Sequence, residues 1–87
     1  MCVWKDNQSQ IWVRELADGS KAIALFNLSE NPLPVDVRLS ALGITGKWMM
    51  RDAWPQTDLG LVQNHFEMNV LPHGARLVVL RKMDNKN

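Results

Sequence analysis

Asp52 and Asp58 stand on either side of Trp54. Two carboxylates beside an aromatic platform are the parts a glycosidase uses, about 5 Å apart as acid and nucleophile or about 6.5–9.5 Å apart as acid and base. A working pair also needs a deep cleft, which a chain of 87 residues hardly encloses. The plainer reading is that Asp52 ends a strand, Asp58 supports the turn Asp-Leu-Gly, and Trp54 covers the edge of a core. His65, His73 and Cys2 are the only other candidates for ligation or nucleophilic chemistry. Structural zinc sites take four ligands with pairs at short spacing, and no such pair exists. Neither histidine sits in a serine or cysteine triad pattern, and no glycine-rich phosphate loop is present. No catalytic residue, metal or cofactor is therefore expected.

The four tryptophans, Trp4, Trp12, Trp48 and Trp54, remain as candidates for recognition, since rings standing on a sheet face stack on sugars or on a partner protein. Trp12 lies with Arg14 and Leu16 on the strand face opposite Ile11 and Val13. Either that hairpin has two dry faces or Trp12 meets something outside the domain. Trp12 and Trp54 are the positions singled out as partner-facing or sugar-stacking. Asn7-Gln-Ser9 and Asn27-Leu-Ser29 match the glycosylation acceptor pattern, which is common by chance.

Composition excludes several classes of function. Ten basic against nine acidic side chains give a net charge of +1, and no run of like charge tracks a phosphate backbone or an anionic membrane, so neither nucleic acid nor a membrane is an expected partner. No apolar run approaches the roughly 20 residues of a membrane span, and the first residues do not read as a signal peptide. With a single cysteine no internal disulfide forms, and one domain covering residues 1–87 must hold by packing alone.

The elements that would position these residues are extended. Ile11 to Asn27 reads as a hairpin: two runs rich in β-branched and aromatic residues flank Leu16 to Ser20, where Asp18-Gly19 supplies the positive φ of a tight reversal. Its second arm is apolar on both faces, with Ile23 and Leu25 against Ala22, Ala24 and Phe26, which predicts a strand covered on both sides at the centre of a sheet. Val3 to Lys5 is a short first strand. Pro32 and Pro34 mark a loop or the start of an edge strand, and Val35, Val37 and Leu39 alternate with polar residues. Ser40 to Gly43 reads as one helical turn, capped by Ser40 and closed by Gly43. Lys47 to Asp52 is extended and residues 53–60 form a long loop. Phe66, Met68 and Val70 alternate again, Pro72-His-Gly74 reverses the chain, Ala75 to Arg81 is a second two-sided strand, and residues 83–87 fray. The whole predicts an all-β, antiparallel β-sandwich of about 7–8 strands with Greek-key connections.

The order of motifs carries a resemblance. Trp12 to Asn27, Leu-Ser-Ala-Leu-Gly-Ile (39–44), Arg-Asp-Ala-Trp (51–54), Asp-Leu-Gly (58–60) and Pro-His-Gly (72–74) together resemble the C-terminal domain of glycoside hydrolase family 27, the α-galactosidases and α-N-acetylgalactosaminidases or melibiases. The resemblance spans nearly the whole chain and departs at Ala53, where a bulkier aliphatic is usual. It implies a sandwich packed against a catalytic (β/α)₈ barrel earlier in the same polypeptide; the compartment is not given by the sequence, and a secreted, periplasmic or lysosomal parent would each accord with it. That barrel would hold the catalytic aspartates and the galactoside pocket, and no position of this sequence inherits a catalytic role. The function implied is a non-catalytic accessory domain that supports the barrel through an apolar sheet face. The alternative is an independent carbohydrate-binding module stacking sugars on an exposed tryptophan.

Overall fold

The computed structural model describes residues 2–5, 8–53 and 57–82. Trp54, the tail 83–87 and the side chains of residues 2–4 lie outside the described set. Eight strands run in the order β1 (Cys2–Lys5), β2 (Ser9–Glu15), β3 (Lys21–Asn27), β4 (Leu33–Arg38), β5 (Trp48–Asp52), β6 (Thr57–Val62), β7 (His65–Val70) and β8 (Ala75–Lys82), with one 3₁₀ turn at Leu39–Leu42. They form a six-stranded antiparallel sheet, β1-β2-β3-β8-β5-β6, faced by a two-stranded sheet, β4-β7. The chain crosses to the small sheet twice, and β8 returns by a Greek-key connection to insert between β3 and β5. This is the antiparallel β-sandwich expected.

The hairpin forms as the sequence dictates. Gly19 takes φ 89°, Gly19 N–H donates to Leu16 O at 3.0 Å, and Leu16 N–H donates to Ser20 O at 2.8 Å. A residue with a Cβ pays for that left-handed conformation, and glycine does not. Asp18 Oδ1 accepts from the Ser20 N–H at 2.9 Å and from Ser20 Oγ at 2.5 Å, which locks the turn. β3 and β8, the strands with two apolar faces, are both interior, each hydrogen-bonded on two sides.

The core lies between the sheets. Ile11, Ile23, Leu25, Trp48, Met50, Val62, Val78 and Leu80 from the large sheet meet Val35, Val37, Phe66, Met68 and Val70 from the small one. Each set sits at alternate positions of its strand, because successive side chains on a pleated strand point to opposite faces. Trp48 is buried and its Nε1–H donates to Thr45 O at 2.8 Å, so it is a core residue with its polar edge satisfied.

Two expectations need correction. Residues 53–60 are not one long loop, since Thr57–Val62 forms β6 and pairs with β5. Opposite Met50 and Arg51 stand Gly60 and Asp58, leaving Leu59 as an extra residue between them. That bulge, with Gly60 at φ 100°, shifts the apolar-polar alternation by one and hides the strand from a period-two reading. The helical turn begins one residue early, at Leu39, and no side chain caps it; Ser40 lies inside it, while Gly43 closes it at φ 73° as expected.

Candidate functional site

Asp52 and Asp58 do not converge. Asp52 follows Trp48 and Met50 onto the inner face of β5 and is buried, whereas Asp58 stands beside Arg51 on the opposite face and is exposed. Each carboxylate is held by a cation: Arg51 Nη1 donates to Asp58 Oδ1 at 2.9 Å and Arg76 Nη2 donates to Asp52 Oδ2 at 2.5 Å. Asp58 is therefore a strand residue in a surface ion pair rather than a turn residue. Arg76 also donates from Nη1 to Asn69 O at 3.4 Å, so this pair ties β5 and β8 of one sheet to β7 of the other.

His65 and His73 lie apart in the chain's geometry. His65 is exposed on β7 with Nδ1 3.3 Å from Asp36 Oδ1 across the small sheet, and His73 holds φ 52° in the turn before β8. Among the described residues no group of three or more His, Cys, Asp or Glu side chains is placed to hold a metal ion. The cavity on the open flank between β2 and β4 has a volume of about 410 Å³. It is lined chiefly by Ile11, Leu33, Val35, Val37 and Leu42, and among the described residues its one carboxylate is that of Asp36.

Two polar residues prove structural in a way that residue type alone does not signal. Asn27, at the end of β3, is fully buried. Its Nδ2 donates to Asn31 O at 2.7 Å and to Val70 O at 2.8 Å, while its Oδ1 accepts from Ser29 N–H and Ser29 Oγ, each at 2.8 Å. Asn27 thus fastens the crossover from the large sheet to the end of β7. With both amide hydrogens engaged, the acceptor pattern at residues 27–29 is closed to modification in the folded chain. The other such residue is Arg76, whose role depends on partners 24 and 7 positions away in sequence.

What stands out is the outer face of the six-stranded sheet, the side away from the small sheet. Trp12, Ala24 and Leu77 form one row across β2, β3 and β8; Arg14, Ala22 and Val79 form the next, and Gln10, Phe26 and Ala75 the row on the other side. Trp12 is 42% exposed and Leu28, beyond Phe26, is 45% exposed. Trp12 Nε1–H donates to Gln10 Oε1 at 2.9 Å, which sets the ring's orientation. Trp12 therefore lies on a largely apolar, solvent-facing patch, while the core is on the other face of its strand.

Residues 6–80 match the family model described as the α-galactosidase C-terminal β-sandwich domain. The chain belongs to that family. The domain is 31% identical over 75 residues to a probable α-galactosidase of Dictyostelium discoideum, covering 82% of this chain and 20% of that protein. It superposes on a family 27 β-L-arabinopyranosidase of Geobacillus stearothermophilus with a TM-score of 0.91 at 34% identity, over 99% of this chain and 20% of that one. With α-galactosidase I of Mortierella vinacea the TM-score is 0.88 at 20% identity, over 99% and 24% of the two chains, a likeness of fold. The chain thus spans about a fifth of the length of the relatives it matches.

Proposed function

We propose that this chain is a non-catalytic accessory domain of a family 27 glycoside hydrolase, and that it stabilises a catalytic (β/α)₈ barrel in the same parent polypeptide by packing against it. One observation carries the reading: across β2, β3 and β8 the outer face of the six-stranded sheet, which should be wet in a self-sufficient sandwich, carries Trp12, Ala22, Ala24, Phe26, Leu77 and Val79 between Gln10 and Arg14 of β2 and the Arg51–Asp58 ion pair of β5 and β6. An antiparallel sheet with one solvated face alternates apolar with polar residues, and both β3 and β8 break that rule. A contiguous apolar patch on a small domain is an interaction surface. The relatives' additional length, about four-fifths of each chain, is where the covering element and the chemistry would reside.

A sugar-binding role is less well supported by the same face. A saccharide needs several polar groups converging on its hydroxyls; among the described residues the polar side chains around Trp12 are Gln10, already bonded to the indole, and Arg14. Three measurements test the proposal. The isolated chain should release no nitrophenol from 4-nitrophenyl α-galactoside or 4-nitrophenyl β-L-arabinopyranoside, and calorimetric titration with galactose, melibiose or galactomannan should be silent. Deleting the domain from the barrel-bearing parent should lower the barrel's melting temperature. Turnover by the isolated chain, or saturable sugar binding abolished by Trp12→Ala, would overturn the reading in favour of an enzyme or a binding module.

A further inference from the structure

Among the described residues β4 pairs with β7 alone, so one edge of the small sheet is open beside β4. The register fixes which backbone groups lie on that edge. Leu39 N–H donates to Asn64 O at 2.8 Å, continuing the ladder that sets Val37 opposite Phe66, Val35 opposite Met68 and Leu33 opposite Val70. Hydrogen-bonded pairs alternate along an antiparallel ladder. Pro34, Asp36 and Arg38 therefore turn their backbone groups away from β7, and none of these groups has a partner among the described residues. Pro34 has no N–H to offer, which suits an open edge, while Asp36 and Arg38 each present a donor and an acceptor. Along this edge runs the cavity of about 410 Å³, floored by Ile11 of β2 and lined by Leu33, Val35, Val37 and Leu42. A strand laid about 4.8 Å beyond β4 lies about 10 Å over β2, the separation at which two sheets pack face to face.

We infer that the open edge of β4 receives an extended segment of a separate polypeptide, antiparallel to β4, with an acidic, an apolar and a basic residue in that order. Charge selects the order. Asp36 and Arg38 are exposed on the outer side of the small sheet, while Val35 and Val37 are buried on the inner side. Across β7, Asp36 stands directly opposite Glu67, a like-charge pairing that costs stability. Arg38 stands opposite His65 and has no ion-pair or hydrogen-bond partner among the described residues. An acidic residue opposite Arg38 and a basic one opposite Asp36 compensate both, and their backbones complete the two hydrogen-bonded pairs. The residue between them meets Val37 and points into the cavity above Ile11, so it is apolar. A second copy of β4 carries the right order, Asp36-Val37-Arg38, but brings its own large sheet to the same side, into the space held by β2 and β1 of the first. The fit is therefore to a lone strand, and it is independent of what covers the Trp12 face.

The test is fluorescence anisotropy of the labelled peptide Val-Glu-Val-Lys-Val, with blocked ends, titrated with the whole chain. Binding should saturate, and the peptide Val-Lys-Val-Glu-Val, which turns two cross-strand attractions into repulsions, should bind about tenfold more weakly. The double variant Asp36→Arg, Arg38→Asp should reverse that preference, with its fold checked by the urea midpoint. Methylating the peptide's Glu and Lys nitrogens, which face β4, should abolish binding, whereas methylating the central Val nitrogen, which faces away, should leave it. Four results would overturn the inference: no saturable binding, equal affinity for the two peptides, a preference unchanged in the double variant, or indifference to which nitrogens are methylated. Sedimentation of the chain alone should show a monomer. A dimer that Asp36→Arg dissociates would also overturn the inference, by giving the edge to a second copy.

Discussion

Arg76→Met should destabilise the domain more than Asp52→Asn, and the size of the difference follows from exposure. The Asp52 side chain retains 7% of its surface and that of Arg76 34%. Removing the guanidinium takes the cation from a carboxylate that water barely reaches, and breaking a buried pair in this way costs about 3–5 kcal/mol; partial access at the Arg76 side places the value near 3. Removing the negative charge instead leaves a guanidinium that turns a third of its surface to water and still meets an amide oxygen, so the loss approaches that of one charge-assisted hydrogen bond, about 1.5 kcal/mol. In the double variant the methionine packs beside a neutral amide, giving a total of about 2 kcal/mol against a sum of about 4.5, a coupling that only contacting groups show. Urea titration of the isolated chain, followed by tryptophan fluorescence, reads all three values. With a slope of about 1.5 kcal/mol per molar, Arg76→Met lowers the midpoint by about 2 M. Equal costs, the reverse order, or additive single effects would refute the assignment of Asp52 as a structural anion clamped between sheets.

Asn27→Ala removes four hydrogen bonds at a fully buried position and should cost about 3 kcal/mol in the same titration; a loss under about 1 kcal/mol would show that the crossover is held elsewhere. Asp18 is held below its ordinary carboxylate value of 3.8 by the hydrogen bond from the Ser20 hydroxyl and then by that from the Ser20 backbone N–H. A folded-state value below the unfolded one gives stability that is complete above about pH 4 and is lost as pH falls through the folded value. Asp18→Asn should therefore flatten the acid limb of the stability profile, and parallel acid limbs for the two proteins would contradict this.

Much of the fold was legible because burial and period coincide. β3 and β8 announced themselves by being apolar on both faces, and both are interior; β4 and β7 showed strict alternation, and their buried residues are the alternating ones. β6 was hidden because the extra residue Leu59 breaks the period, and Leu59 and Leu61 are exposed on a sheet edge. Ser40 has the residue type of a helix cap but falls inside its turn. Of the chemistry-bearing residues, Asp52 and Asp58 stand close in sequence, yet Asp58 pairs with Arg51 rather than with Asp52, and successive residues of a pleated strand point to opposite faces, which separates the two carboxylates. Arg76, in contact with Asp52, was invisible because its partners are distant in sequence. Trp12 was legible as a residue on the wrong face, but the alanine floor beside it reads as ordinary strand filler until the register places Ala22 and Ala24 between two taller walls.

The central claim is that the Trp12 face is covered by the barrel of the parent polypeptide. Hydroxyl-radical oxidation read by mass spectrometry tests it directly, by comparing Trp12 in the isolated 87-residue chain with Trp12 in the barrel-bearing parent. At 42% exposure the isolated indole should oxidise readily, and in the parent the rate should fall at least tenfold, as for a ring closed off from water, while Leu71 on the far turn oxidises equally in both. Equal oxidation of Trp12 in the two proteins would contradict the account.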